Sequence, residues 1–277
     1  MTSTTQQLVL SRRPSLGAIV ALVALTLRQQ LRGRRLLVLS LLFCLPGLLA
    51  AVINFAARVP PPTESLQFGL VFNLIPAALA PLAALLYAAG IIQDEVEEQT
   101  LTYLLLRPIP RGALYLARLL AAMLVTALLA GLFTAATFAV IGLTGHTPLD
   151  TQTGVLILKT VGLLALAEVA YCGLFGVLGL LLRRSLLLGM GYIVLFEGLL
   201  ASLDMLARRM TVMYHFRVLV LRLIDAEHAR EWSIELGRAP QASTSMWVLL
   251  GIGLVMAVIG ALIFRSREFR MKTPEGS

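Results

Sequence analysis

Carboxylates occur in this chain in two settings that could do chemistry. Four are crowded into Gln93–Arg111, with the sequence QDEVEEQTLTYLLLRPIPR, and two stand alone inside long apolar runs, Glu168 and Glu197. In the crowded segment, Asp94, Glu95, Glu97 and Glu98 directly follow an apolar run. Thr100 and Leu101 then open an apolar and aromatic stretch that ends at Arg107-Pro108-Ile109-Pro110-Arg111. Each proline removes a backbone donor and turns its predecessor away from helical geometry, so a helix must stop there. An acidic start suits the positive end of a helix, which makes this a short amphipathic helix with a basic end. Such an element can lie along a membrane surface and enter a groove of a soluble partner. The plainer alternative is a solvated connector.

An ionisable side chain inside a membrane is costly enough to be a functional candidate by default. Glu168 shares a helix face with Cys172, Gly176 and Gly179, a small-residue stripe that permits close helix packing. Its side chain is therefore expected to point into a bundle or a subunit interface. Glu197 has Ile193, Ala201 and Asp204 on its side. Both acids are candidates to line or gate a translocation route; the alternative is a structural acid held between helices.

Other reactive types are less telling. Met205, Met210, Met213 and His215 would suit a soft metal, but methionines at helical spacing read as packing. Glu227, His228 and Glu231 read as a solvated face, and Cys44 and Cys172 lack ligand spacing, so no metal site is assigned. The chain contains no H-E-x-x-H, G-x-S-x-G or G-x-x-x-x-G-K-[ST] motif, so no catalytic residue is assigned either.

The elements that must position these residues follow from composition. Of 277 residues, 58% are hydrophobic and 14% charged, against roughly 45–50% and 25% in soluble domains. Only a lipid solvent tolerates that exchange. Six runs approach the roughly 20 apolar residues a spanning helix needs: Leu36–Phe55, Leu66–Ile92, Ala113–Leu143, Gly154–Leu182, Ser185–Leu203 and Met246–Phe264. The third and fourth are long enough to tilt, kink or project beyond the bilayer. Pro46, Pro76 and Pro81 lie within spans and are expected to kink them. The fold class is therefore an all-α integral membrane protein, a six-helix bundle.

Lysine and arginine set the orientation. With both termini inside, 15 of the 23 basic residues fall on the inner side and 8 on the outer, and six of those eight share one loop. The positive-inside rule then predicts both termini cytoplasmic. The net charge of +8 borders apolar runs, where it sets topology, so no nucleic-acid partner is expected. Before the first span, Leu16, Ile19, Val20, Val23, Leu27 and Leu31 share a face, with Arg28, Arg32 and Arg35 gathered near the end. That pattern predicts an interfacial helix in the headgroup layer; a short extra span is the alternative.

The organisation is thus 1–35 as a cytoplasmic N-terminus, 36–264 as the membrane domain and 265–277 as a cytoplasmic tail. Within the membrane domain, 93–111 is an inner loop and 205–245 an outer one. In the outer loop, Leu206, Met210, Met213, Phe216, Val220 and Leu223 recur at helical spacing among arginines. They predict an amphipathic helix on the outer surface.

The run I-I-x-D-E-x-E-x-x-T-L-x-Y-L-L-x-R-P-I-P-R, within Leu79–Leu120, resembles the permeases of ABC-2-type exporters. Gln99 stands where a glycine often precedes the Thr-Leu pair. Within the class the chain looks most like permeases related to the copper-processing system of nitrous oxide reductase. The resemblance implies the ABC-2 (type V) exporter fold and a plasma or inner membrane location. It implies a second permease copy, identical or a close paralogue, and a separate ABC ATPase that binds ATP and Mg. By resemblance, Asp94, Glu95, Glu97, Glu98, Thr100, Leu101, Arg107, Pro108 and Arg111 would form the ATPase-coupling surface. Two other readings remain open. One is an ion-coupled secondary transporter using Glu168 and Glu197, and the other a non-transporting membrane assembly factor.

Overall fold

The computed structural model describes residues 16–57, 61–91, 111–145, 150–182, 184–199, 206–224, 232, 234–235 and 237–266. Among them every regular element is helical. The helices are α1 (Leu16–Gln30), α2 (Arg34–Ala56), α3 (Thr63–Ala88), α4 (Arg111–Thr144), α5 (Thr151–Leu181), α6 (Ser185–Leu199), α7 (Val212–Leu223) and α8 (Ala242–Ser266). A short 3-10 turn, Leu206–Met210, precedes α7.

Five of these, α2, α3, α4, α5 and α8, are long and apolar enough to cross a bilayer. α4 has 34 residues and α5 has 31, about 51 and 46 Å of helix, so both exceed the roughly 30 Å apolar thickness. The expected span Ser185–Leu203 is described in part: α6 runs from Ser185 to Leu199, and residues 200–203 lie outside the described residues.

Local sequence explains the irregular turns. Asp150 caps α5, its Oδ1 accepting the Thr153 N–H at 2.9 Å. In α3, residues Gln67–Leu79 adopt wide π turns around Pro76, and the Ala80 N–H reaches back five residues to the Ile75 carbonyl. A proline ring crowds the carbonyl four residues before it, and the wider turn relieves that conflict. Pro46, by contrast, is accommodated inside α2.

α5 is the hub of the bundle, packed most broadly on α8 and then on α4 and α3. The α5–α8 contact is closest at Gly173 and Gly253, where a Cβ on Gly173 would stand 2.8 Å from the Gly253 carbonyl oxygen. α8 presents Ser245, Leu249, Gly253, Ala257, Gly260 and Phe264 as its buried stripe, spaced three or four residues apart. On α2 the buried stripe is Leu39, Phe43, Pro46 and Ala50, while Leu37, Leu41, Leu48 and Phe55 are exposed. A helix apolar on both its packed and its open face belongs in lipid.

The segment expected to lie on the outer surface is where the structure departs most. α7 forms as the periodicity predicts, but Val212–Phe216 and Val218–Leu221 are all buried. It sits among α5, α8 and α3 rather than on top of them.

Gly173→Ala should lower the stability of the detergent-solubilised protein by about 1–3 kcal/mol, the usual cost of overpacking. Gly162, on the same helix, has nothing within 4 Å of a built Cβ, so Gly162→Ala should cause no loss. Denaturant or thermal unfolding of the two variants checks the contrast.

Candidate functional site

Of the predicted coupling surface, Asp94, Glu95, Glu97, Glu98, Thr100, Leu101, Arg107 and Pro108 lie outside the described residues. Arg111 is the exposed first residue of α4. What the structure describes is the frame that holds this segment. On its N-terminal side the chain is described to Ile91, whose carbonyl accepts a hydrogen bond from Arg118 Nη1 at 3.2 Å. Arg118 stands two turns inside α4 and is half-buried. Arg35 Nη1 donates to the Leu86 carbonyl at 3.3 Å, and the Tyr87 hydroxyl donates to the Gln30 carbonyl at 3.5 Å. Gly179 of α5 lies directly against Ala89. The last turns of α3 are therefore tied to the α1–α2 junction, to α4 and to α5. An arginine two turns inside an apolar helix was the available signal that it has a local task.

The two intramembrane acids turn out to be opposites. Glu197 is buried within the wide-turn part of α6 and is fully engaged. Its Oε2 accepts from the Tyr171 hydroxyl at 3.0 Å and from the Met213 N–H at 2.9 Å, and its Oε1 accepts from the Tyr192 hydroxyl at 3.1 Å. One carboxyl thus joins α6, α5 and the first turn of α7. Of the neighbours expected along the helix, Ala201 and Asp204 lie outside the described residues. The partners found are distant in sequence, and a single-helix projection could not show them.

Glu168 is also fully buried, but neither carboxyl oxygen has a hydrogen-bond partner among the described residues. It points into the bundle as predicted. Thr126 lies beside it, with its hydroxyl placed on the Met123 carbonyl at 3.2 Å and Cys172 Sγ at 3.5 Å. The stripe that accompanies Glu168 serves packing: Gly176 meets Tyr115 and Leu119 of α4, and Gly179 meets Ala89.

Residues 31–202, more than half of the chain and including this frame and both acids, match the profile of the ABC-2 family transporter protein. The chain belongs to the ABC-2 family. It is accordingly the membrane-spanning, multi-pass subunit of an ABC transporter, a transport component that is not itself catalytic. Comparison with curated proteins gives no match.

In this ABC-2 subunit, α7 and α8 follow the matched segment, and the chain around α7 is pinned by long-range contacts. Trp232 Nε1 donates to Asn73 Oδ1 at 2.9 Å, and its ring lies 5.0 Å from that of Phe68. Arg217 stands over the same indole at 5.4 Å. Arg222 donates to the Pro240 and Ala239 carbonyls, and Lys159 to the Leu223 carbonyl at 3.0 Å. Met213 is fully buried while Met210 is 86% exposed, so these two do not converge; Met205 lies outside the described residues. His215 Nδ1 faces Ser245 Oγ at 3.3 Å and Nε2 faces the Arg209 carbonyl at 3.0 Å. Burial holds the His215 imidazole below its usual pKa, opposed by the hydrogen bond to Arg209.

Two experiments follow from this geometry. Glu197→Leu strands three donors, each worth about 1–3 kcal/mol when buried and unsatisfied, so unfolding should show a clear loss. Glu168→Leu removes at most the contact with the neighbouring Thr126 hydroxyl, so it should cost much less than Glu197→Leu in the same measurement. For His215, the folded state resists a proton that the unfolded chain accepts below about pH 6.5. Stability is thus full above that value and falls as the pH drops through it toward the depressed folded pKa. Unfolding midpoints at pH 7.5 and 5.5 should differ more for the wild type than for His215→Gln.

Proposed function

We propose that this chain is the permease of an ATP-driven exporter, paired with a second copy or a close paralogue. In this reading it sits in a plasma membrane of bacterial type with both termini cytoplasmic, where positive-inside counting puts them. An ABC ATPase docks beneath the 93–111 segment through its acidic cluster and its Arg-Pro end. ATP and Mg bind to that ATPase and not to this chain.

The observation that carries the reading is the clasped frame around the segment. Arg118 on the Ile91 carbonyl and Arg35 on the Leu86 carbonyl bind the end of α3 to α4 and to the α1–α2 junction. A displacement received by the segment is delivered to several helices together. Closure of the ATPases shifts the spans because ATP binds the closed arrangement better than the open one, which is the only way a ligand moves an equilibrium. A two-fold interface between permeases gives a path that one small bundle could not enclose.

Within the cycle we assign different parts to the two acids. Glu197 keeps α6, α5 and α7 in register. Glu168 is the acid that no hydrogen bond claims among the described residues, and it is the one we place in the transport machinery. An ion-coupled secondary transporter is the second reading, and it rests on that same carboxyl. It predicts transport without an ATPase and loss of transport in Glu168→Gln.

Co-expression with its cognate ABC ATPase should yield a stable complex. Glu98→Arg or Arg107→Glu should weaken that complex at least about tenfold, roughly 1.4 kcal/mol. A complex that forms normally with both reversals would overturn the coupling surface, and transport without any ATPase would favour the second reading.

A further inference from the structure

Two exposed apolar stripes meet where this chain concentrates its arginines. On α1 the buried side holds Leu22 and Thr26, while Val20 and Leu25 are 65% and 64% exposed. That open side continues into Arg28 and Gln29 and, past the helix end, Arg32, all exposed. On α2, Arg34 is followed at helical spacing by Leu37, Val38 and Leu41, each more than 60% exposed. Leu25, Arg28, Gln29 and Arg32 line a depression of about 420 Å3 on the α1 side, and Arg34 follows two residues after Arg32, past the turn at 31–33.

Among the described residues at this elbow the charge is of one sign. The sequence holds no aspartate or glutamate before Glu64, and Glu64 opens α3 at the opposite end of α2. Arg35 turns inward to the Leu86 carbonyl, whereas Arg28, Arg32 and Arg34 stay on the open face. Gly33, the N-cap of α2, offers no side-chain cap, so the positive end of that helix faces the same place. Guanidinium groups match phosphate through paired, planar hydrogen bonds. Any anion would suit the arginines, but the stripes narrow the class. Leu37 and Leu41 lie on the face of α2 that belongs in lipid, directly beside Arg34, so an anion that carries acyl chains can set its headgroup on the arginines and its chains along that face.

We infer that the α1–α2 elbow binds the headgroup of an anionic phospholipid, with the phosphate on Arg28, Arg32 and Arg34 and the acyl chains along Leu37 and Leu41. The inference needs only the membrane placement of the chain and is independent of how transport is powered. It goes further than a helix resting in the headgroup layer, because it assigns a saturable site with headgroup preference.

The full chain in neutral detergent is equilibrated with equimolar phosphatidylglycerol and phosphatidylcholine of identical acyl chains, and the retained lipid is counted by native mass spectrometry. Retention should favour phosphatidylglycerol by about thirtyfold or more, the scale expected of two or three arginines at a charged surface. The combined Arg28→Gln, Arg32→Gln and Arg34→Gln variant should bring the ratio near one, while Arg238→Gln leaves it unchanged. If the triple variant does not fold, Arg32→Gln alone should lower the ratio by about fivefold. Millimolar inorganic phosphate should not displace the lipid. The site is refuted by an even ratio in the wild type, by a preference that survives neutralisation, or by displacement with inorganic phosphate. Equally, lipid retained by the triple variant together with loss of the ATPase would make the elbow a protein-binding surface instead.

Discussion

A backbone amide in hydrocarbon has no water to turn to, so a lipid-exposed chain must satisfy every N–H and C=O within its own helix. That requirement explains why long helices carry the architecture among the described residues. The wide turns of α3 surround Pro76, which is itself buried, and those of α6 hold the buried Glu197. Where regular bonding is interrupted, a neighbouring element covers the gap. Asp150 takes up a free amide at the start of α5, and Glu197 takes one at the start of α7.

Much of this was legible in the residues. Apolar runs located the spans α2, α3, α4, α5 and α8 to within a few residues, because hydropathy in lipid is a direct reading of which segments cross. The burial of α7 was hidden by Arg208, Arg209, Arg217 and Arg222, which look like a wetted face. Two of them show why the helix is nonetheless inside. Arg217 lies over the Trp232 indole and Arg222 reaches the Pro240 and Ala239 carbonyls. Long basic side chains can carry their charge away from a buried stem.

The site was legible in kind but not in partnership. Glu168 and Glu197 look equivalent on paper, each a lone acid in an apolar run. Their difference lies in contacts tens of residues away, such as Tyr171 and Met213 on Glu197, which no local pattern encodes. Arg118 illustrates the same limit: its type and position were plain, but its acceptor at Ile91 belongs to another helix. The Trp232–Asn73 bond, spanning 159 residues, is the extreme case.

The length of α4 has a mechanical consequence. At about 51 Å it is a stiff rod, fastened near one end by Arg118 to Ile91 and at the other by Thr144, whose hydroxyl accepts from Asn54 Nδ2 at 2.6 Å. A rod so fastened works as a lever. A tilt of only about 10° about one end would carry the other through roughly 9 Å, nearly the diameter of a helix. Because both ends are fastened, such a swing would take the end of α3 and the far end of α2 along with it.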